Sequence, residues 1–277
     1  MKLIDFDGMF DEKLTVYMEE NKNKYTEKQW ETLIPKLYKK FGDTYVGKIK
    51  CTPKEYYAKM SSEELVQTLE MHLQSDIPVP EFLCAEMEGR DLVETLKPLL
   101  FSSSVQTATY AFNLIGDTPR AYDAYFTLLQ SDETDEDLKS DITDIFKLHA
   151  DEMKEKALQS YKDGKATEAM LEILSRVKAR DEEIYQILLN AFLSYENIPM
   201  HASYLASYGD ERALPLLLKK IEDTTIGFVE FQELKYAIEA LGGEYDEPRD
   251  FSDDKDYLAV EVASAKAVMP NEQSLKS

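Results

Sequence analysis

The sequence predicts an all-α fold, a right-handed superhelix of stacked helical hairpins behind a less regular helical N-terminal region. Three observations predict it. Asp91, Asp117, Asp151, Asp181 and Asp210 recur at intervals of 26, 34, 30 and 29 residues, each just ahead of an apolar stripe. Each stripe is followed by a polar break and a second stripe, and the spacings of three, four and seven are helical rather than strand-like. Only 10 glycines and 10 prolines occur among 277 residues, few for a loop-rich or all-β chain. One hairpin cannot bury its apolar face alone, so neighbours must stack to make a continuous core.

The N-terminal elements are irregular. Thr26 is placed to cap a helix carrying Trp30, Leu33, Ile34, Leu37 and Phe41, with Gly42 as its stop. Pro35 falls inside that stripe and predicts a kink or break near Ile34. Thr52 followed by Pro53 reads as a cap with proline at the first helical position, opening a short helix to Met60. Residues 41–50 alternate loosely and read as a loop or a short strand. Ser62 is then expected to cap a helix with Leu65, Val66, Leu69 and Leu73 on one face. Pro78 and Pro80 turn the chain into a short helix of Phe82, Leu83 and Met87, ended by Gly89.

The five aspartate-led hairpins follow. Leu92, Leu96 and Leu99 precede Val105, Ala108, Phe112 and Ile115 in the first, and Ala121, Tyr125 and Leu128 precede Leu138, Ile142, Ile145 and Phe146 in the second. Met153, Ala157 and Tyr161 lead through Gly164 to Ala166, Ala169, Met170, Ile173 and Val177. Ile184, Ile187, Leu188, Ala191 and Phe192 precede a helix with Tyr204 and Leu205. Ala213, Leu214, Leu217, Leu218 and Ile221 precede Phe231, Leu234, Ile238 and Leu241. An aspartate suits each start, because its carboxylate accepts an orphan backbone N–H and complements the positive end of the helix dipole.

The fifth hairpin reads Tyr208-Gly209-Asp210-Glu211-Arg212-Ala213-Leu214-Pro215-Leu216-Leu217 in its first helix. Its second helix reads Glu233-Leu234-Lys235-Tyr236-Ala237-Ile238-Glu239-Ala240-Leu241-Gly242. This pattern resembles the HEAT-like repeats also seen in phycobilisome-lyase-type proteins. Ile115-Gly116-Asp117-Thr118-Pro119-Arg120-Ala121 repeats it in shorter form. The resemblance implies a HEAT/armadillo-like α-solenoid. In it Gly209 makes the turn, Asp210 caps, and Arg212 lies near the repeat-to-repeat stack. Pro215 bends the outer helix, and Ala237, Ala240 and Gly242 permit close packing. Other hairpins depart from the pattern, since Ala150 or Arg180 stands in place of the turn glycine. The resemblance implies a scaffold and not a lyase activity, because such repeats serve many functions.

Charge narrows the functional classes. A net charge of −22 repels phosphate backbones and argues against nucleic acid as a partner, including the HEAT-like DNA glycosylase chemistry that needs a basic groove. Residues 22–60 run the other way, with ten lysines against four acids, interleaved with Tyr25, Trp30, Tyr38, Tyr45, Tyr56 and Tyr57. Lys36, Lys39, Lys40, Lys48 and Lys50 are the candidates for a basic contact patch, set against a plain solvated face. Cys51 and Cys84 belong to no motif and read as buried thiols in a reducing compartment. The opening Met-Lys-Leu-Ile-Asp-Phe-Asp is too acidic for a signal peptide, and no run approaches a membrane span. A cytoplasmic protein is expected, with no membrane partner and its oligomeric state open.

Chemistry-bearing motifs are few. Leu3-Ile4-Asp5-Phe6-Asp7-Gly8 resembles the nucleophile motif of haloacid-dehalogenase-type phosphatases, whose two acids accept a phosphoryl group and act as general acid. That chemistry needs the acids at the end of a buried parallel strand, and no βαβ alternation follows here. The acid runs at 132–137 and 250–256 lack the glycine and glutamate positions of a calcium loop and read as turns. His72, His149 and His201 have no metal-ligand spacing. No cofactor is expected.

The expected organisation is therefore an irregular helical cap over 1–61, HEAT-like hairpins over 62–243 and an acidic extension over 244–277. Within that extension 258–268 reads as a short helix or a strand, and the end from Pro270 as mobile. The expected function is a non-enzymatic scaffold that binds a basic or amphipathic protein or peptide on its concave face. The second helices line that face, so Arg176, Tyr204, Lys235 and Tyr236 are the contact candidates. The alternative is an enzyme or enzyme accessory, phosphatase-like through Asp5 and Asp7 or a lyase-like factor.

Overall fold

The computed structural model describes residues 3–268, with side chains through residue 263. The expected mobile end from Pro270 lies outside the described residues. Among those residues the protein is all-helical, with sixteen α-helices joined by turns and short 3-10 segments. Residues 41–50 hold no strand, only the start of an isolated antiparallel bridge between Val46 and Cys51. The chain forms two compact units, residues 1–128 and 129–277. Arg90 donates to the carbonyls of Met60 (2.7 Å) and Ala58 (3.0 Å), tying the N-terminal helices to the first hairpin.

In the first unit, α1 (Phe6–Glu20) starts where the Asp5 carboxylate accepts from the Gly8 N–H at 2.7 Å. Helix α2 (Glu27–Phe41) is closed at its start by the Gln29 side chain accepting from Thr26 N–H. Pro35 lies within α2 without breaking it, on an exposed position. Thr52 and Glu55 bond reciprocally to open α3 (Pro53–Ala58), as the sequence implies. Ser61, not Ser62, caps α4 (Ser62–Leu73), and Glu64 completes the reciprocal pair. Helices α5 (Glu81–Glu88), α6 (Val93–Leu96), α7 (Val105–Ile115) and α8 (Tyr122–Leu129) follow. Phe6, Phe10, Tyr38, Phe41, Tyr57 and Phe82 form the aromatic core of the N-terminal part, with Tyr38 stacked on Phe82 at 4.6 Å.

The second unit pairs first and second helices in order. Helix α9 (Glu136–Leu148) precedes the hairpins α10 (Ala150–Lys162) with α11 (Thr167–Leu174), α12 (Glu182–Ser194) with α13 (Ile198–Tyr208), and α14 (Leu214–Ile221) with α15 (Phe228–Ala240). Within each hairpin the two helices pack together, and α9, α11, α13 and α15 also pack in succession. Ile184, Leu188 and Phe192 repeat every four residues on α12 and are all fully buried. Each such side chain contributes about 2 kcal/mol of burial free energy. Helix α16 (Lys255–Val268) resolves the helix-or-strand alternative for 258–268 and rests on α15 through its first turn.

The recurring aspartates do more than cap. Asp181 accepts from the N–H groups of Glu183 and Ile184, and Asp210 accepts from that of Arg212. Asp151, however, lies inside α10 and accepts instead from the Lys178 N–H at 2.9 Å. Asp91 pairs with Arg120 (2.6 Å), and Asp117 accepts from the Tyr122 hydroxyl. Asp181 also pairs with Lys154 at 2.5 Å, and Arg212 joins Asp210 to Glu182 of the preceding hairpin. Partners 27 to 30 residues apart are one hairpin apart, so most of these carboxylates staple neighbours together.

Candidate functional site

Two regions concentrate polar groups beyond what folding uses. In the first unit, Asp5 is spent as a helix cap, and Asp7 accepts from the Tyr38 hydroxyl. Burial raises the Asp7 carboxyl above the ordinary value, and burial with the adjacent Asp7 raises Tyr38 strongly. Both acids sit at a helix start, so the strand-end geometry that phosphoryl transfer through this motif requires is not found here. The Tyr57 hydroxyl and His72 Nε2 are buried without a partner. His72 Nδ1 lies 3.2 Å from the Ile77 carbonyl, which only accepts, so Nδ1 carries the proton.

In the second unit, α9 and the start of α11 border an open cavity of about 410 Å³. Asp132, Glu136, Glu168 and Glu172 line it against one ammonium, Lys139. The sequence places Glu168 and Glu172 one turn apart, so both project from the same face of α11. Lys139 is already held by Glu136 at 2.8 Å, and Lys147 bridges Glu172 and Asp144 at 2.6 Å each. Behind Glu168 stands α13. His201 Nε2 lies 3.3 and 3.4 Å from the two Glu168 oxygens. A carboxylate accepts, so Nε2 donates and Nδ1 is left as a buried acceptor without a partner. Tyr204 is 6 % exposed, and its buried hydroxyl lies near Glu168 and Glu172. Burial first, then these two carboxylates, push the Tyr204 phenol far up.

The expected contact residues fall into different settings. Tyr236 is 60 % exposed on α15, Arg176 is exposed after α11, and Lys235 is half-buried. Tyr204 is not a surface residue. One residue in each turn of α13 must face the core, and position 204 is on the buried side with His201, Leu205 and Tyr208. Lys36, Lys39 and Lys40 share one exposed face of α2 and have no ion-pair partner among the described residues. Lys48 and Lys50 are also exposed, and Lys48 lines a separate cavity of about 540 Å³ with Asp5, Glu12 and Tyr56. Cys51 and Cys84 are free thiols, and burial pushes Cys84 up to about 11.

The sequence reading missed His201, Glu168 and Glu172. A signal existed. Glu168 and Glu172 stand four apart on a second helix, and His201 follows Glu168 by 33 residues, about one hairpin. It missed a second pattern too. Arg-Asp occurs at 90–91, 180–181 and 249–250, and each arginine donates to carbonyls at the end of a helix. Cations are favoured there because those carbonyls are unsatisfied and carry the negative end of the dipole.

The chain matches no known family model, and no curated protein or solved structure resembles it. No helix among the described residues is long and apolar enough to cross a membrane.

Proposed function

We propose that this protein is a non-enzymatic helical-repeat scaffold, its hairpins stacked in the HEAT-like manner, that holds a basic or amphipathic protein segment against its second helices. The observation that carries this reading is the cavity between α9 and α11, where four carboxylates face one lysine. Its volume of about 410 Å³ suits a few side chains of a partner and lies at the small end of ligand pockets. The strongly acidic whole, at −22, steers a cationic segment toward any such site. The acids that would serve a phosphatase are engaged in a helix cap and a tyrosine bond. A cytoplasmic location fits two free thiols.

Affinity capture at low and at raised salt tests the proposal. The expected partner is basic over the bound segment, and its capture falls as salt rises. An acidic partner, or capture indifferent to salt, overturns it.

A further inference from the structure

We infer that residues 244–257 form a releasable strap that closes the last hairpin against end-on association with a second copy of this chain. The inference stands on the packing around α14, α15 and α16 and does not depend on what the protein binds.

Helix α15 packs on α13 and α14, and no further hairpin follows it among the described residues. Its Phe231 is nevertheless only 7 % exposed. The cover is the strap. The Tyr245 and Phe251 rings lie 6.0 and 5.1 Å from the Phe231 ring, and the Arg249 guanidinium carbon lies 4.8 Å from its centre. Phe228, one turn earlier, meets Phe251 at 5.4 Å and Tyr257 at 5.2 Å. Without the strap, α15 would present Phe228 and Phe231 to water at the end of the chain's last hairpin. An apolar end of this kind is the surface on which one hairpin packs against the next. With −22 on each copy, the rest of the surface repels a second chain, so contact between copies would form at this end. A twofold pair would bring the same two rings of each copy together.

Side chains hold the strap in place. Between residues 244 and 253 no backbone group bonds to a backbone group of α13, α14 or α15. Arg249 donates to the carbonyls of Ile221, at the end of α14, and of Asp223 at 2.9 Å. The Asp254 carboxylate accepts from the Phe228 N–H at 3.0 Å, at the start of α15, and from the N–H groups of Asp256 and Tyr257 at the start of α16. One carboxylate thus caps two helices and joins them. These bonds keep the Asp254 carboxyl below its ordinary value. Opposing them, the strap carries seven acids against two cations in an acidic chain. A segment tied by a few side chains, without ladder bonds and under charge repulsion, opens at a lower free energy than the helices beneath it.

The test uses the full chain. Arg249→Met with Asp254→Ala removes both polar anchors and leaves the net charge at −22, so new association cannot come from weaker repulsion. Sedimentation velocity over a series of concentrations and amide-resolved hydrogen exchange are read on wild type and double variant. The expected result is self-association at least about tenfold tighter than in wild type, with faster exchange at the Phe228 and Tyr257 amides. Adding Phe228→Ser, which removes a ring stacked against Phe251 and Tyr257 of the strap, should return association to the wild-type level. Equal association of wild type and double variant, or association untouched by Phe228→Ser, would overturn the inference. Where the double variant does not fold, wild type decides alone. Its Phe228 and Tyr257 amides, both bonded to Asp254, should exchange through one shared opening that depends less on denaturant than exchange at Leu234 in the middle of α15. Exchange of all three amides through global unfolding alone would overturn it.

Discussion

Arg180 holds Tyr208 in two ways. Its Nη1 donates to the Tyr208 carbonyl, and the guanidinium carbon stands 5.2 Å from the centre of the Tyr208 ring. Its Nη2 donates to the next carbonyl, Gly209, at the end of α13. The Tyr208 hydroxyl in turn donates to the Asp181 carbonyl and accepts from the Asp181 N–H at 2.7 Å. The junction between two hairpins is thus closed from both sides by one Arg-Asp dipeptide.

Arg180→Met keeps the aliphatic stem and removes the donors. Hydrogen bonds from charged groups are worth about 1.5–3 kcal/mol, so a loss of about 2 kcal/mol in the second unit is expected. Chemical denaturation checks it. Arg249→Met should act alike through the carbonyls of Ile221 and Asp223.

Acid should loosen the hairpin staples. Lys154 holds the Asp181 carboxyl below its ordinary value, Arg212 does so for Asp210, and Arg120 for Asp91. A folded-state value below the unfolded one gives stability that is present above about pH 4 and is lost as pH falls through the folded value. Asp181→Asn keeps a capping oxygen but removes the ion pair with Lys154, so it should cost up to about 1 kcal/mol at neutral pH and flatten the decline below pH 4. Asp7 has the opposite sign. Burial raises its folded value, so its contribution is full at low pH and fades as pH rises through that value. The stability of Asp7→Asn relative to wild type should therefore improve as pH rises above about 4. Thermal melts across pH measure both.

Tyr57→Phe should not destabilise the first unit. Tyr57 is fully buried, its hydroxyl has no partner, and burial pushes the phenol far up. Removing an unsatisfied hydroxyl while keeping the ring should raise stability by up to about 1 kcal/mol. A loss above that size would mean the hydroxyl is bonded in solution.

Charge reversal of Lys36, Lys39 and Lys40 separates the lysine face from the acidic cavity. Their exposure and lack of ion pairs predict a stability change within about 0.5 kcal/mol. If the partner binds the second unit, its capture by this variant should match wild type. A lost partner would move the binding site to α2.

Much of the helical pattern is legible in the sequence because its causes are local. Caps such as Thr52 with Glu55, and stripes such as Ile184, Leu188 and Phe192, act within one or two turns. Where the reading slipped, a neighbour decided. Asp151 looks like a cap, but the Lys178 N–H competes for it from 27 residues away. Pro35 reads as a kink or a break, and of the two the break is absent, since α2 runs through this exposed position. The candidate site was the least legible. Repeat position fixes the helix that carries Tyr204 but not its side, and its burial follows from packing beside His201. Glu168 and His201 meet only after two hairpins stack, 33 residues apart.

Hydrogen–deuterium exchange on the chain with and without its captured partner tests the central claim most directly. Binding against the second helices predicts added protection in α9, α11 and α13, reduced in Glu168→Gln with Glu172→Gln. Protection confined to α1 and α2, with α9 and α11 unchanged, would contradict it.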